Sequence, residues 1–367
     1  MEKRLRNDAV DRLLVILIIT ILIVGTLMVY SASYIWAEYK FNDSFYFVKR
    51  QLLFAGVGVI AMFIVANVPY FQWIKYRKWI FIGCIALLIA VLIPGIGMVR
   101  GGARSWIGVG AFSIQPAEFM KLGMILFLSG YLVNLQDRIT EFKRGFMPPL
   151  ILIISLFMLI MLQPDLGTGM VFVLTSFLLL FVAGARLKHF LILAGFGAIG
   201  FLLLIISAPY RINRITAFLD PWQDPLGNGF QIIQSLYAIG PGGLFGVGFG
   251  NSLQKYFYLP EPHNDFIFAI IAEELGFIGG IFVIGLFFLF VWRGILVSLN
   301  APDLFAKLLA IGIVGMIAIQ VMINISVVIG LIPVTGITLP FLSYGGSSLT
   351  LTLCSVGILL NISKYRK

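Results

Sequence analysis

Three acidic residues lie at or just inside the start of one long apolar run. The stretch from Tyr258 to Gly276 reads YLPEPHNDFIFAIIAEELG and carries Asp265, Glu273 and Glu274. Ionisable side chains at membrane depth are energetically costly, so they usually face a cavity and indicate a functional site. A carboxylate in such a place could act as a general base on a hydroxyl group. A polar, glycine-rich segment precedes the run, so we expect a hydrophilic ligand at this surface.

Asp265 has two compatible interpretations, because an Asp at a helix start can cap the helix as well as take a proton. At roughly 100° per helical residue, Glu273 lies within a quadrant of the Asp265 face and Glu274 lies opposite. Glu273 is therefore expected to share a cavity with Asp265, and Glu274 to pair with another helix.

Basic side chains elsewhere in the chain could bind an anionic group. Glu118 and Lys121 stand three residues apart in QPAEFMK. They either form an intrahelical ion pair or present Lys121 to an anionic substrate. Arg104, Arg211 and Arg214 have no close acidic neighbour in sequence. They suit bidentate phosphate binding or, alternatively, contact with lipid headgroups.

Two further residues are left open, and several chemistries are excluded. Trp106 could stack on a sugar ring or anchor its loop at the membrane interface, and Asp165 is either a turn residue or an outward-facing polar site.

The glycines of 240–250 lack the GK[ST] ending of a nucleotide-binding loop. Cys84 and Cys354 fall in apolar segments without CxxC spacing, which predicts no disulfide framework.

The composition identifies the elements that must position these residues. The chain has 367 residues, is 60% hydrophobic and only 11% charged, and has a mean hydropathy of +1.02. Such a balance predicts an all-α polytopic membrane protein. The segments 148–163 and 167–184 are either two short helices or one broken helix. The ten predicted spans are 13–33, 48–68, 79–99, 117–135, 148–163, 167–184, 187–208, 265–292, 305–332 and 344–362.

Charge predicts the orientation of these spans. About two thirds of the 26 Lys and Arg residues fall in the segments that are cytoplasmic if the N-terminus is cytoplasmic. Both termini are then inside, and a large loop, 209–264, lies outside between the seventh and eighth spans.

The first span is too long for a signal peptide and is expected to be a retained anchor. His189 and His263 then lie on opposite sides, which excludes a histidine zinc site, and the scattered basic residues exclude nucleic-acid binding. No separate soluble domain is predicted within 1–367.

Five motifs, in order along almost the whole chain, resemble one known family. They are GARSWIGVGAFSIQPAEFMK, QPDLGTG, DPLGNGFQIIQSLYAIGPGGLFGVGFGNS, YLPEPHNDFIFAIIAEELG and GLIPVTGITLPFLSYGGSS. The family is SEDS (shape, elongation, division and sporulation), and the wording is most like its division and sporulation branch, above all its sporulation members. Ala117 and Asn264 depart mildly from the common pattern, where Ser and Thr are frequent.

The resemblance implies a ten-helix peptidoglycan glycosyltransferase of the bacterial cytoplasmic membrane. Such proteins polymerise lipid II into glycan strands on the outer face and work with a class B penicillin-binding protein. The resemblance places the family's essential aspartate on Asp265 and its sensitive tryptophan on Trp106, and its QPxEFxK motif supplies Glu118 and Lys121. The role implied is in division septum or spore cortex synthesis.

The implied reaction inverts the anomeric centre. A GlcNAc 4-hydroxyl attacks lipid-linked MurNAc, and undecaprenyl pyrophosphate leaves. Asp265 is the expected base, with Glu273 expected beside the substrate. Positive charge from Arg104, Lys121, Arg211 and Arg214, helped by Mg²⁺ or Mn²⁺, is expected to stabilise the leaving pyrophosphate.

Two other functions fit parts of the pattern. A lipid II flippase would use polar groups within the spans and many helix-breaking residues, but it should need a cavity open alternately to both faces. A scaffold that recruits a penicillin-binding protein would need no acidic cluster beside a polar loop. The concentration of unusual residues on one face favours an enzyme.

Overall fold

The computed structural model describes residues 10–100, 103–109, 112–206, 218–227 and 229–365. Within these ranges the fold consists of eleven α-helices and one small sheet. The helices are α1 (Arg12–Phe41), α2 (Tyr46–Asn67), α3 (Tyr70–Ala90), α4 (Pro116–Asn134), α5 (Met147–Met161), α6 (Leu166–Val182), α7 (Leu187–Ile206), α8 (Phe230–Gly242), α9 (Ile267–Leu299), α10 (Leu304–Val328) and α11 (Gly346–Ser363).

Ten of these helices, all except α8, lie on the ten predicted spans, which confirms the all-α prediction. Among the residues that the structure describes, seven helical segments are long and apolar enough to cross a membrane, and α6 is a shorter apolar helix. The segment around Pro164 separates α5 from α6, so two short helices are present rather than one broken helix. Asp165 begins α6 as its N-cap, because its carboxylate accepts a hydrogen bond from the backbone nitrogen of Thr168 at 3.1 Å.

The third span was predicted nine residues too late. It was expected at 79–99, whereas α3 runs from Tyr70 to Ala90. The long stems of Lys75 and Lys78 let basic residues lie within a helix near the membrane surface. Pro94 cannot continue a helix and follows shortly after its end.

A three-stranded antiparallel sheet follows α3, where no strand was predicted. Its strands are β1 (Gly97–Arg100), β2 (Ala103–Val109) and β3 (Phe112–Ile114), in that order. The sheet leads directly into α4, whose first residue is a proline. It therefore fixes the approach of the chain to the QPAEFMK motif.

The two ends of the helix bundle differ. At the end that carries the first residues of α1 and the last residues of α11, here called the terminal end, Asp11 accepts a hydrogen bond from Arg293 at 2.8 Å. The backbone nitrogen of Asp11 also donates to the hydroxyl of Ser363 at 3.1 Å. The opposite end, which carries the sheet, α8 and the 331–345 loop, is here called the loop end. The predicted site residues of the described chain lie toward the loop end.

The helix α9 is interrupted at Gly276, whose φ of 67° and ψ of −165° are not helical. The loop after α8 pairs with the interrupted backbone. The nitrogens of Val247 and Gly248 donate to the carbonyls of Glu273 and Glu274, each at 3.0 Å, and the nitrogen of Phe277 donates to Gly243 at 2.9 Å. Backbone groups freed by a break in a membrane helix need such partners. This loop, residues 243–259, is therefore a fixed part of the bundle.

Candidate functional site

The 331–345 loop joins the ends of several helices at the loop end. The side chain of Gln51, on α2, donates to the carbonyl of Ser343 at 3.2 Å. The backbone nitrogen of Tyr344 donates to the carbonyl of His263 at 2.9 Å. Gly167, in α6, lies against the carbonyl of Thr335. The loop therefore connects α2, α6 and the segment before α9 into one surface.

Asp265 lies in that surface, one residue before the N-cap of α9. The helix begins at Ile267, and its N-cap is Phe266, which makes no side-chain capping bond. The interpretation of Asp265 as the cap is therefore wrong, because the helix starts two residues later than predicted. Asp265 is a partly buried residue, and burial raises its pKa to about 6, with the charge of Glu261 acting in the same direction.

The backbone carbonyl of Asp265 accepts a hydrogen bond from Asn324, a residue of α10, at 2.6 Å. Asn324 is buried, with 1% of its surface exposed. Asn324 was not among the predicted site residues, although a polar side chain within an apolar span indicates a functional role.

His263, two residues before Asp265, is buried and uncharged. Its ring packs against Phe47, with centroids 4.2 Å apart, and against Tyr344 at 5.7 Å. Burial lowers the pKa of His263 to about 4. The imidazole is therefore uncharged at neutral pH and does not neutralise Asp265.

Glu118 and Lys121 form the predicted intrahelical ion pair. The Lys121 ammonium lies 2.7 Å from the Glu118 carboxylate, and both side chains are buried. The hydroxyl of Ser348, at the start of α11, donates to the same carboxylate at 3.1 Å. The pair lies near the loop end of α4, where Ser348 joins it to the segment that follows the 331–345 loop.

Glu273 and Glu274 fix the 243–259 loop to the bundle. Glu273 accepts hydrogen bonds from the hydroxyl of Ser252 at 2.5 Å and the nitrogen of Leu253 at 2.7 Å. Glu273 was expected to share a cavity with Asp265, but its carboxylate instead binds donors of the 243–259 loop. No signal in the sequence indicated that this loop would fold back onto the helix. Glu274 forms an ion pair with Lys255 at 2.8 Å, and both side chains are fully buried.

Glu274 also contacts another helix, as predicted. The hydroxyl of Ser31, on α1, donates to its carboxylate at 2.7 Å. Lys255 in turn donates to the carbonyl of Gly250 at 2.6 Å. Every charge in this cluster therefore has hydrogen-bonding partners, as a buried ion pair needs.

The remaining predicted substrate-binding residues are unevenly placed. Arg104 and Trp106 lie on β2, opposite Val99 and Met98 of β1, and both are partly exposed. The sheet contacts α4 and α11. Arg211 and Arg214 lie outside the described residues. The described part of the site thus brings Asp265, Glu118 and Lys121 to the loop end of the bundle, with the strand that carries Trp106 against α4.

The described residues offer few side-chain ligands for a metal ion. Over the ranges that the structure describes, no group of three His, Cys, Asp or Glu side chains could hold a metal ion. Mg²⁺ is usually bound by one or two carboxylates together with substrate phosphates. The described residues therefore fit a divalent cation only where the substrate supplies most of its oxygen ligands.

Over the residues that the structure describes, a bundle of mostly apolar helices with polar groups gathered at one end defines a multi-pass membrane protein. The family model described as "Cell cycle protein", FTSW_RODA_SPOVE, matches residues 11–367. The chain belongs to this family of FtsW, RodA and SpoVE proteins, which confirms the resemblance found in the sequence.

Individual relatives agree over the full length. The chain is 64% identical over 362 residues to stage V sporulation protein E of Bacillus subtilis (strain 168), covering 99% of each chain. It is 43% identical over 359 residues to the probable peptidoglycan glycosyltransferase FtsW of Geobacter sp. (strain M18), covering 98% of each. A solved chain from a peptidoglycan synthase complex that coordinates polymerization and crosslinking matches with a TM-score of 0.80 and 32% identity, over 97% of this chain and 98% of that chain.

Proposed function

We propose that the protein is a peptidoglycan glycosyltransferase that polymerises lipid II, with Asp265 in its active site. The observation that carries this proposal is the position of Asp265, a partly buried residue at the loop end of a membrane helix, whose pKa is raised to about 6. Relatives named peptidoglycan glycosyltransferase match over nearly all of both chains.

In the proposed reaction, the Asp265 carboxylate accepts the proton of the GlcNAc 4-hydroxyl as that oxygen attacks the anomeric carbon of lipid-linked MurNAc. The C–O bond to undecaprenyl pyrophosphate breaks, and the configuration inverts. A carboxylate with a pKa near the working pH suits this role, because it is ionised before the reaction and can hold the proton afterwards.

The leaving pyrophosphate needs positive charge. Arg104 and Lys121, with Arg211 and Arg214 beyond the described residues, are the proposed sources. Lys121 is already neutralised by Glu118 at 2.7 Å, so its contribution in the resting state is a dipole rather than a free charge. Mg²⁺ or Mn²⁺, held mainly by the pyrophosphate oxygens of the substrate, would supply further charge to the leaving group.

We also propose the surroundings of this reaction. The partner is a class B penicillin-binding protein, which crosslinks the strand; a synthase complex is the setting of the structural relative. Both termini are cytoplasmic, and the loop end faces outward, which puts the site beside lipid II in the outer leaflet. The 64% identity to a sporulation protein favours spore cortex synthesis over the division septum.

The first test is strand formation from purified lipid II by the protein with its cognate penicillin-binding protein and a divalent cation. We expect Asp265→Asn to abolish polymer while preserving the complex. Glu261→Gln is the matched control, because Glu261 is an exposed carboxylate four residues earlier whose contact is with Asn264. Polymer from a folded Asp265→Asn variant would overturn the assignment of the base. Lack of polymer from an intact wild-type complex would favour the flippase or the scaffold instead.

A further inference from the structure

Asn324 uses both hydrogens of its amide to hold two backbone segments. It donates to the carbonyl of Asp265 at 2.6 Å and to the carbonyl of Ile337 at 2.7 Å. The first acceptor belongs to the segment before α9, and the second belongs to the 331–345 loop. One buried side chain of α10 therefore fixes the backbone of the proposed base and of the loop beside it.

The same two segments are joined at a second point. The nitrogen of Tyr344 donates to the carbonyl of His263, two residues before Asp265, at 2.9 Å. Each segment also contains a residue other than glycine with a left-handed backbone, namely Glu261 with a φ of 44° and Phe341 with a φ of 64°. Such conformations persist only where surrounding contacts hold them. The hydrogen bonds of Asn324 and Tyr344 are contacts of this kind.

The carboxyl group of Asp265 itself is held differently. Over the described residues, no other side chain donates a hydrogen bond to the Asp265 carboxylate. The position of this carboxylate therefore depends on the backbone that carries it. The hydrogen bonds from Tyr344 and Asn324 hold the carbonyl of His263 and the carbonyl of Asp265, two residues apart. A change at Asn324 would therefore alter where the carboxylate points without touching the substrate.

We propose that Asn324 is a positioning residue that aims the Asp265 carboxylate at the acceptor hydroxyl. This inference rests on the proposed function. It predicts that loss of the amide slows the chemical step more than it weakens substrate binding, because a misplaced base leaves the binding groups unchanged.

The test compares Asn324→Leu, which keeps similar bulk and removes both donors, with the wild type in the full complex. We expect kcat for strand formation to fall by about tenfold or more, while KM for lipid II changes by less than about threefold. Asn324→Gln, which keeps the two donors on a longer stem, should recover part of the lost kcat.

Ser235→Ala is the matched control. The Ser235 hydroxyl, fully buried on α8, donates to the carbonyl of Val328 at the end of α10, at 2.7 Å. This variant removes one buried hydrogen bond at α10, against two in Asn324→Leu, and leaves the Asp265 carbonyl untouched. We expect a smaller loss of thermal stability and an unchanged kcat.

A folded Asn324→Leu variant with wild-type kcat would overturn the positioning role, provided that Asp265→Asn is inactive. Equal losses of kcat in Asn324→Leu and Ser235→Ala would also overturn it, because they would indicate general loosening. If Asn324→Leu does not fold, Asn324→Ser, which keeps one donor, is judged by the same criteria. An active Asp265→Asn variant would instead overturn the assignment of Asp265 as the base, and lack of polymer from the wild-type complex would overturn the proposed function.

Discussion

The acidity of Asp265 is set by its surroundings, and it determines the pH at which the proposed base works. Its pKa is raised to about 6 mainly because burial disfavours the charged form. The protonated form prevails below that pH and cannot take a proton from the substrate. We therefore expect polymerisation to fall by about tenfold for each pH unit below about 6 and to level off above it. Initial rates across this range measure the effect.

Glu261 provides an internal control for this profile. Its negative charge contributes to the raised pKa of Asp265. Glu261→Gln should therefore shift the midpoint of the profile to lower pH. A rate that stays flat down to about pH 5, or a midpoint that moves upward, would contradict Asp265 as the titrating group.

The Glu118–Lys121 pair is expected to be structural as well as electrostatic. Lys121→Met leaves a buried carboxylate without its partner, which should cost about 3–5 kcal/mol of unfolding free energy. The double variant Glu118→Gln, Lys121→Met removes both charges and should regain most of that loss. Thermal unfolding in detergent measures both. A double variant no more stable than Lys121→Met would contradict this account.

At the residue scale, the sequence predicted what depended on local spacing. Glu118 and Lys121 stand three apart on one helix, so their pairing followed from helical geometry. The contact of Glu274 with another helix was predicted because Glu274 lies on the side of its helix opposite Asp265. The partners Asn324 and Lys255 were not predicted, because one lies 59 residues from Asp265 and the other reaches Glu274 from a loop.

At the element scale, the interruption of α9 makes a specific demand on Gly276. A Cβ atom at this position would collide with the backbone nitrogen of Gly246, and a φ of 67° disfavours any other residue. We expect Gly276→Ala to lose activity and to lower the unfolding free energy by about 1–3 kcal/mol. The control is Gly285→Ala on the same helix, where a Cβ atom meets nothing within 4 Å. It should be neutral or slightly stabilising. Equal effects of the two variants on thermal unfolding would contradict a special role for the break.

Element boundaries were predictable where hydropathy alone determines them. The ten apolar segments correspond to ten helices, because the membrane requires backbone hydrogen bonds to be satisfied within each span. The third span was misplaced because basic residues in α3 lowered the local hydropathy. The sheet was missed because its glycine-rich sequence resembles a loop, and its pairing depends on contacts between strands rather than on alternation.

At the scale of the whole molecule, orientation is the property to test. In a variant with Cys84 and Cys354 replaced by Ala, Leu226→Cys should react with a membrane-impermeant maleimide in intact cells. Leu226 is 89% exposed and lies in the predicted outside loop. Lys143→Cys, also exposed but in a predicted cytoplasmic loop, should react only after permeabilisation. The reverse pattern would invert the proposed topology.

The buried cluster around Glu274 has a consequence for how the protein is made. Ser31 and Glu274 are 243 residues apart, and Lys255 is synthesised before Glu274. Until α9 packs beside α1, the Lys255 ammonium lacks the Glu274 carboxylate as its partner. The 243–259 loop can therefore close only after most of the chain has been translated and inserted. Completion of the active surface is thereby tied to completion of the bundle, so that a partly inserted chain lacks a competent site.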